Sequence, residues 1–250
     1  MIPLKDNIPT ERFPVLTVAL IAINVLMFFF FQGWPGDIDA NAMEYGAIPY
    51  EITHPGEQCR AIGAFVECGD FDTDLAPTWV TLFTSMFMHG GFLHIAGNML
   101  FLWVFGNNIE DAMGRVKFIL FYIGGGLAAT GAQVLIDTNA AVPSIGASGA
   151  VAAVLGAYAL LYPRARVVTL IIIIVFITVI QLPALLVLGL WFLLQVYAGS
   201  SELAQPVGGG GGVAYWAHIG GFVFGLALVK LLARRENPNY GSYNPRPGIY

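Results

Sequence analysis

The stretch that decides the fold is VVTLIIIIVFITVIQLPALLVLGLWFLLQVYAG, residues 167–199, which holds 33 consecutive residues without a charged side chain. A membrane-spanning helix needs about 20 mostly apolar residues, so this stretch can hold one crossing with a lead-in, or two short crossings separated near Pro183. The whole chain of 250 residues is 57% hydrophobic and only 11% charged. A soluble domain is about a quarter charged. The composition therefore excludes a soluble globular domain and predicts an integral membrane protein.

Five other apolar runs are long enough to be membrane helices. They lack the two-residue alternation of strands, and backbone groups in lipid need partners within their own segment. We therefore predict an all-α, polytopic membrane protein with six transmembrane helices in residues 15–235. The five runs are Val15–Gln32, Gly91–Ile109, Phe118–Ile136, Gly146–Tyr162 and Val213–Ala233.

The distribution of basic residues favours six crossings over seven. Cytoplasmic segments of membrane proteins are enriched in Lys and Arg. With six crossings and a cytoplasmic N-terminus, ten of the eleven basic residues lie inside and only Arg60 lies outside. Seven crossings would move the basic residues after the last span to the outside. We expect a multi-pass cell-membrane protein with both termini cytoplasmic, namely residues 1–14 and a disordered tail, residues 236–250.

Residues 33–80 form one large loop, which this topology places outside the cell. The loop carries nine acidic residues and one basic residue. It also contains both cysteines, Cys59 and Cys68, in a compartment where disulfides form. A disulfide between them and two free thiols are both open at this point. A metal site with His54 is not expected, because the spacing matches no usual ligand pattern.

Four polar residues within the predicted spans share one depth in the membrane. Such residues are energetically expensive in lipid, so by default they indicate function. His94 and Asn98 stand one turn apart at the outer end of the second span, Ser148 begins the fourth, and His218 lies near the start of the sixth. With seven crossings, His218 would lie roughly 20 Å from Ser148. The clustering therefore also favours six crossings.

These four residues supply the chemical groups of an acyl-transfer site. A serine hydroxyl needs an adjacent base to become a good nucleophile, and His218 is the only histidine in the last three spans. The oxyanion of such a reaction needs donors, which Asn98, His94 and the backbone N–H of Ser148 can provide. No Asp or Glu lies at this depth, so the arrangement predicted is a Ser–His dyad rather than a triad.

Glycines beside the serine and the histidine allow the two helices to approach closely. Gly146 and Gly149 flank the serine, and Gly221 and Gly225 follow the histidine in a G-x-x-x-G pattern. Each polar residue also has a packing interpretation when taken alone, since serine and histidine often bridge membrane helices. We favour the catalytic interpretation because packing does not explain four polar groups at one depth.

Three motifs resemble those of the rhomboid family of intramembrane serine proteases. The resemblance covers roughly residues 10–235, and the motifs occur in the order and spacing of that family. Taken together they are highly specific, although each alone is weak. The motifs are HGGFLHIAGN at 89–98, GASGA at 146–150 and AHIGGFVFG at 217–225.

The resemblance implies an activity and a role for each residue. Ser148 would be the nucleophile and His218 the general base, while His94 and Asn98 would line the oxyanion hole and His89 would support it. Members of the family cleave transmembrane segments of other membrane proteins near the outer leaflet, without a metal or cofactor. The expected partners are therefore transmembrane protein substrates and the lipid bilayer, with no nucleic acid. The alternative is an inactive rhomboid-like module that binds membrane proteins; such relatives lack the serine or the histidine.

The chain departs from the family pattern at two places. Trp79 is followed by valine, where many members have arginine. Ala152 occupies the position of a tyrosine that stacks on the catalytic histidine in some members. The ring of His218 then needs another support, for which Tyr158 and Trp216 are candidates.

The resemblance also implies an arrangement for the long uncharged stretch. The fifth helix would be Leu182–Gly199, which in this family borders the lateral entrance for substrate. Val167–Gln181 would be an interfacial or partly re-entrant lead-in to that helix.

Overall fold

The computed structural model describes residues 1–36, 38–63, 65–71, 75–173, 176–203 and 213–233. The predicted tail, residues 236–250, lies outside the described residues. The helices are α1 Val15–Leu26, α2 Ile38–Tyr45, α3 Pro49–Thr53, α4 Thr78–Thr84, α5 Phe92–Phe101, α6 Asn107–Met113, α7 Arg115–Ile136, α8 Ser148–Leu161, α9 Ala184–Leu203 and α10 Tyr215–Leu232. The strands are β1 Ile2–Asp6, β2 Gln58–Ile62, β3 Phe65–Gly69, β4 Arg166–Ile173 and β5 Phe176–Pro183.

Each of the six predicted spans contains an apolar helix. Helix α1 continues through a π-helical turn to Phe31, and a similar turn at Leu102–Gly106 joins α5 to α6. Within the described residues, three helices, α7, α9 and α10, are long and apolar enough to cross a membrane. The α5–α6 unit makes a fourth when it is taken together with Thr78–Phe87, from which it is bent by 79°. The chain is therefore a mostly helical membrane protein, and the number of six crossings stays a prediction.

The chain is mostly helical, as predicted, but it is not purely α, because the described residues also contain five strands in two small antiparallel sheets. One sheet has the strand order β1-β4-β5. The predicted lead-in Val167–Gln181 falls within the antiparallel pair β4–β5 of this sheet. The fifth predicted helix therefore begins at Ala184 rather than at Leu182. The hairpin is rich in valine, isoleucine and threonine, whose branched side chains favour extended backbone. Pro183 ends the hairpin directly before α9, where its missing N–H removes no helical hydrogen bond.

The predicted large loop has its own secondary structure. It contains α2, α3, α4 and the hairpin of β2 with β3. Cys59 and Cys68 face each other across this hairpin and form a disulfide. The buried Glu51 accepts a hydrogen bond from the backbone N–H of Cys59 at 2.8 Å, and burial raises the pKa of this carboxyl. The disulfide closes the hairpin, and the hydrogen bond from Glu51 ties the hairpin to α3.

Helix α8 lies at the centre of the bundle, with every residue from 149 to 159 buried. Helices α7 and α10 pack against it. A Cβ added at Gly221 or Gly225 of α10 would overlap the backbone oxygens of Gly149 and Ala153 of α8. The residue numbers of these two contacts rise together along both helices, so α8 and α10 are parallel. Their first turns therefore lie side by side.

Carboxylates hold the start of α1 against the end of α6. Glu110 accepts hydrogen bonds from the backbone N–H groups of Leu16 and Thr17 at 3.0 and 2.8 Å, and from the Thr17 hydroxyl at 2.9 Å. The neighbouring Asp111 accepts one from the backbone N–H of Glu11 at 2.9 Å. A negative charge is favourable at a helix N-terminus, where the first N–H groups have no partner within the helix.

Candidate active site

Ser148 and His218 meet where α8 and α10 begin. Ser148 is the first residue of α8 and His218 is the fourth residue of α10. The Ser148 Oγ lies 2.7 Å from His218 Nε2, although the residues are 70 positions apart in the chain. Both side chains are only partly buried. The close, parallel packing of two glycine-containing helices therefore creates the hydrogen bond that nucleophile activation needs.

Helix α9 supports the other side of the histidine ring. Gln195 Oε1 lies 2.8 Å from His218 Nδ1, and the ring centroid of Trp191 lies 5.8 Å from that of His218. Gln195 and Trp191 are one turn apart, so they share one face of α9. An amide oxygen only accepts hydrogen bonds, so this contact places the proton on Nδ1. His218 Nε2 is then free to accept the proton of the Ser148 hydroxyl.

This support differs from the predicted one. Tyr158 was a candidate for holding His218, but its hydroxyl donates to Asp6 on β1. Trp216, the other candidate, lies beside Gly199 of α9. Gln195 is a polar residue in an apolar run, but nothing in the sequence pairs it with the histidine. That pairing depends on how α9 is rotated about its own axis.

Gly146 brings the chain close to the two predicted oxyanion donors. Its φ of +118° lies in the region that favours glycine. A Cβ at this position would lie 2.7 Å from His94 Nε2 and 3.5 Å from Asn98 Nδ2. The backbone N–H of Gly146 donates to the Ser85 oxygen at 2.8 Å, which fixes this approach. Both side-chain nitrogens therefore face the chain two residues before Ser148.

Both nitrogens have a proton to donate. Asn98 Nδ2 is buried and has no hydrogen-bond partner within the described part of the chain. His94 Nδ1 accepts from the backbone N–H of Gly90 at 3.3 Å, which leaves the proton of the neutral ring on Nε2. The backbone N–H of Ser148 adds a third donor, because the first N–H groups of a helix have no partner within it. Burying a hydrogen-bond donor without a partner costs free energy unless a ligand or a reaction intermediate accepts its hydrogen bond.

His89 and Gln32 support this region from behind. The ring of His89 packs edge-on against that of His94, with centroids 5.1 Å apart. The side chain of Gln32 bonds both backbone groups of His89, accepting from its N–H at 2.9 Å and donating to its oxygen at 3.0 Å. Sequence reasoning missed Gln32, because a glutamine at the end of a predicted span has no pattern that ties it to residue 89.

The remaining predicted glycine also lies at a close contact. A Cβ at Gly149 would come within 2.5 Å of the Ala129 Cβ on α7. Gly149, Gly221 and Gly225 thus bring α7, α8 and α10 together below the Ser148–His218 pair. The structure places the predicted polar residues of the membrane segments in one region, in or just before the first two turns of α5, α8 and α10.

The fold and the site define a class of protein. This is a helical membrane protein in which serine and histidine meet at the starts of two packed helices, beside side-chain donors aimed at the same loop. The model of the Rhomboid domain matches residues 76–235 of the chain. The chain therefore belongs to the rhomboid family.

Curated relatives include a bacterial protein and mitochondrial proteins. Rhomboid protease GluP of Bacillus subtilis is 29% identical over 145 residues, which cover 58% of this chain and 24% of that protein. Rhomboid protein 1, mitochondrial, of Saccharomyces cerevisiae is 29% identical over 159 residues, 61% of this chain and 42% of that protein. Presenilin-associated rhomboid-like protein A, mitochondrial, of Danio rerio is 30% identical over 161 residues, 62% of this chain and 39% of that protein. The chain thus spans less than half the length of these relatives.

Proposed function

We propose that this protein is an intramembrane serine endopeptidase that cleaves transmembrane segments of other membrane proteins. The observation that carries the proposal is the 2.7 Å contact between Ser148 Oγ and His218 Nε2, beside the unpartnered Asn98 amide. Ser148 is the nucleophile, His218 the general base, and the backbone N–H of Ser148 joins His94 and Asn98 in the oxyanion hole. The name of the bacterial relative, rhomboid protease GluP, supports the same activity.

In this proposal the site opens toward the extracytoplasmic side of the cell membrane, and both termini are cytoplasmic. The supporting observation is the charge distribution, which puts ten of the eleven basic residues inside when the chain crosses six times. The site lies at the starts of α8 and α10, so cleavage would occur near the outer surface of the bilayer. The six-helix protease domain then comprises residues 15–235, with the disulfide-linked hairpin of residues 58–69 outside.

The reaction follows the acyl-transfer scheme in two steps. Ser148 Oγ attacks the scissile carbonyl carbon while His218 Nε2 takes the hydroxyl proton, and the carbonyl oxygen becomes an oxyanion bound by the three donors. The C–N bond then breaks, the protonated His218 gives its proton to the leaving amine, and an ester on Ser148 remains. A water molecule, deprotonated by His218, attacks this ester, and its collapse returns the proton to Ser148 Oγ and releases the acid product.

Labelling with a fluorophosphonate probe tests this proposal. The full chain in detergent is expected to bind one probe covalently, because only an activated serine reacts with this phosphorus centre. Ser148→Ala and His218→Ala are expected to abolish labelling, while Ser144→Ala, four residues earlier in the chain, keeps it. If the folded wild-type protein does not react, the alternative function gains support, namely a rhomboid-like module that binds membrane proteins without cutting them.

We further propose that Gln195 is a positioning residue for His218. Gln195→Leu removes the acceptor at Nδ1, so His218 can adopt the wrong tautomer or rotate away from Ser148. The analogous change in a Ser–His–Asp triad costs about 10⁴ in kcat. A neutral amide partner holds the ring less strongly than a carboxylate, so we expect kcat for a transmembrane peptide to fall roughly 10²-fold with KM nearly unchanged.

The matched control is Gln181→Leu, which changes an exposed glutamine on β5. This variant is expected to keep the wild-type kcat. Thermal unfolding of both variants separates loss of orientation from loss of fold. An unchanged kcat in Gln195→Leu would show that the contact with Gln195 does not orient His218, and that the packing of Trp191 is sufficient.

A further inference from the structure

A cavity of about 450 Å³ lies between the start of α1 and the junction of α6 with α7. Residues 12–14, 110–111 and 113–117 line it. The α5–α6 unit runs from the candidate active site to this cavity over Phe92–Met113, which at 1.5 Å per residue is about 33 Å. The hydrocarbon core of a bilayer is about 30 Å thick. The cavity therefore lies at the end of the bundle opposite Ser148, at the depth of the lipid headgroups.

Three basic side chains, those of Arg12, Arg115 and Lys117, line this cavity. Arg12 and Arg115 are exposed, and none of the three forms an ion pair with another described residue. Lys117 donates one hydrogen bond, to the Leu232 oxygen at 2.9 Å, and its ammonium has further protons to donate. These basic side chains therefore have no anionic side-chain partner within 4 Å among the described residues.

The acidic residues at the cavity already have partners. Glu110 and Asp111 line its wall, but their oxygens accept hydrogen bonds from the backbone at residues 11, 16 and 17. These two carboxylates therefore complement the start of α1 and the residues just before it. No side chain in the described part of the chain caps the neighbouring helix α7, and its first turn contains no acidic residue.

The start of α7 carries cations where a helix favours an anion. Arg115 and Lys117 are its first and third residues, and the N–H groups of its first turn have no partner within the helix. A cation is unfavourable near the N-terminal, positive end of a helix dipole unless an anion lies between the cation and the helix. A bound anion in the cavity would pair with the basic side chains and accept from the free N–H groups at the same time.

Apolar side chains at the cavity indicate which anion it takes. Phe13 and Val116, both among the lining residues, are 69% and 73% exposed. A phospholipid has an acyl chain that can cover such side chains and a phosphate that can reach the basic residues beside them. A free phosphate would leave Phe13 and Val116 uncovered. We propose that this cavity binds the phosphate headgroup of an anionic phospholipid.

This site is independent of the proposed protease activity, because it requires only that the bundle lies in a membrane. Native mass spectrometry of the full chain in neutral detergent, with phosphatidylglycerol added, tests it. We expect one phosphatidylglycerol to be retained preferentially over phosphatidylcholine. Arg12→Gln/Arg115→Gln changes two exposed side chains and is expected to weaken this retention roughly 30-fold, from the usual contribution of a basic residue at an anionic membrane surface.

The matched control is Arg60→Gln, which removes a basic residue from the hairpin in the predicted large loop and is expected to retain the lipid like the wild type. Equal retention by the wild type and the Arg12→Gln/Arg115→Gln variant would overturn the proposal, as would equal retention of phosphatidylcholine. Inorganic phosphate is the third arm of the experiment. If the protein retains inorganic phosphate but no phosphatidylglycerol, the cavity is a site for free phosphate and the lipid proposal is wrong.

Discussion

Replacing Ser148 by alanine, His218 by alanine, or both together is expected to lower the cleavage rate of a transmembrane peptide by nearly the same factor, roughly 10⁴ or more. The reason is the contact between the two side chains, 2.7 Å from Ser148 Oγ to His218 Nε2. A base without its nucleophile and a nucleophile without its base are equally ineffective, so the second substitution removes nothing further. Residual rate would come from the oxyanion donors and from substrate binding.

The measurement is a cycle of the two single variants and the double variant with one fluorogenic transmembrane peptide, in protein whose thermal unfolding matches the wild type. Ser144→Ala is the control, and it is expected to keep full activity because that serine lies outside the candidate site. Losses that multiply in the double variant would show that Ser148 and His218 act separately, which contradicts the dyad. A rate in His218→Ala close to the wild-type rate would exclude His218 as the base.

The structure brings together the polar residues that the sequence singles out, whereas it also contains strands that the sequence does not predict. Ser148, His218, His94 and Asn98 are rare polar residues in apolar segments, and one topology puts them at one depth, so their meeting follows from helix geometry. The structure brings His94 and Asn98 to Gly146 and joins Ser148 to His218. What the residues do chemically stays a proposal that the labelling and cleavage experiments test.

The hairpin of β4 and β5 could not be predicted from the apolar pattern. In residues 167–182 nearly every side chain is apolar, so the run shows neither the two-residue period of a strand nor the 3.6-residue period of a helix. Its length and lack of charge match a membrane segment, which favours the helical interpretation. The β-branched content is the property that indicates strands, and pairing with β1 supplies the hydrogen bonds that an isolated hairpin would lack.

The residue that supports the His218 ring could not be predicted from the sequence, for a different reason. The resemblance to the family, together with alanine at position 152, implies that the ring needs another partner, but the sequence does not show which residue this is. Gln195 lies 23 residues before His218, and the contact depends on the angle at which α9 packs against α10. Two aromatic residues nearer to the site in the sequence, Tyr158 and Trp216, point elsewhere. The sequence indicates that the His218 ring needs a support, but only the packing of α9 against α10 identifies Gln195 as the supporting residue.

Gly221→Ala is expected to have a large effect on stability, although it adds only one methyl group. A Cβ at this position would overlap the backbone oxygen of Gly149, which cannot rotate away as a flexible side chain can. Helix α10 must then move away from α8, and overpacking of this kind costs about 1–3 kcal/mol or more. The same movement separates His218 from Ser148, so activity is expected to fall even in the fraction of protein that remains folded.

Gly131→Ala is the matched control, because it makes the same change inside α7 where nothing lies within 4 Å of the added Cβ. Alanine in an open helical position is favoured over glycine by about 0.5–1 kcal/mol, so this variant is expected to be as stable as the wild type or slightly more stable. The measurements are thermal unfolding in detergent and the rate of fluorophosphonate labelling at a temperature where both variants are folded.

If Gly221→Ala unfolds and labels like the wild type, the contact between α8 and α10 is not what holds the serine and the histidine together. If it unfolds early but the folded fraction labels at the wild-type rate, the close contact stabilises the bundle without positioning the dyad. Only the combined loss of stability and labelling supports the view that the glycines of α8 and α10 are the structural basis of the site.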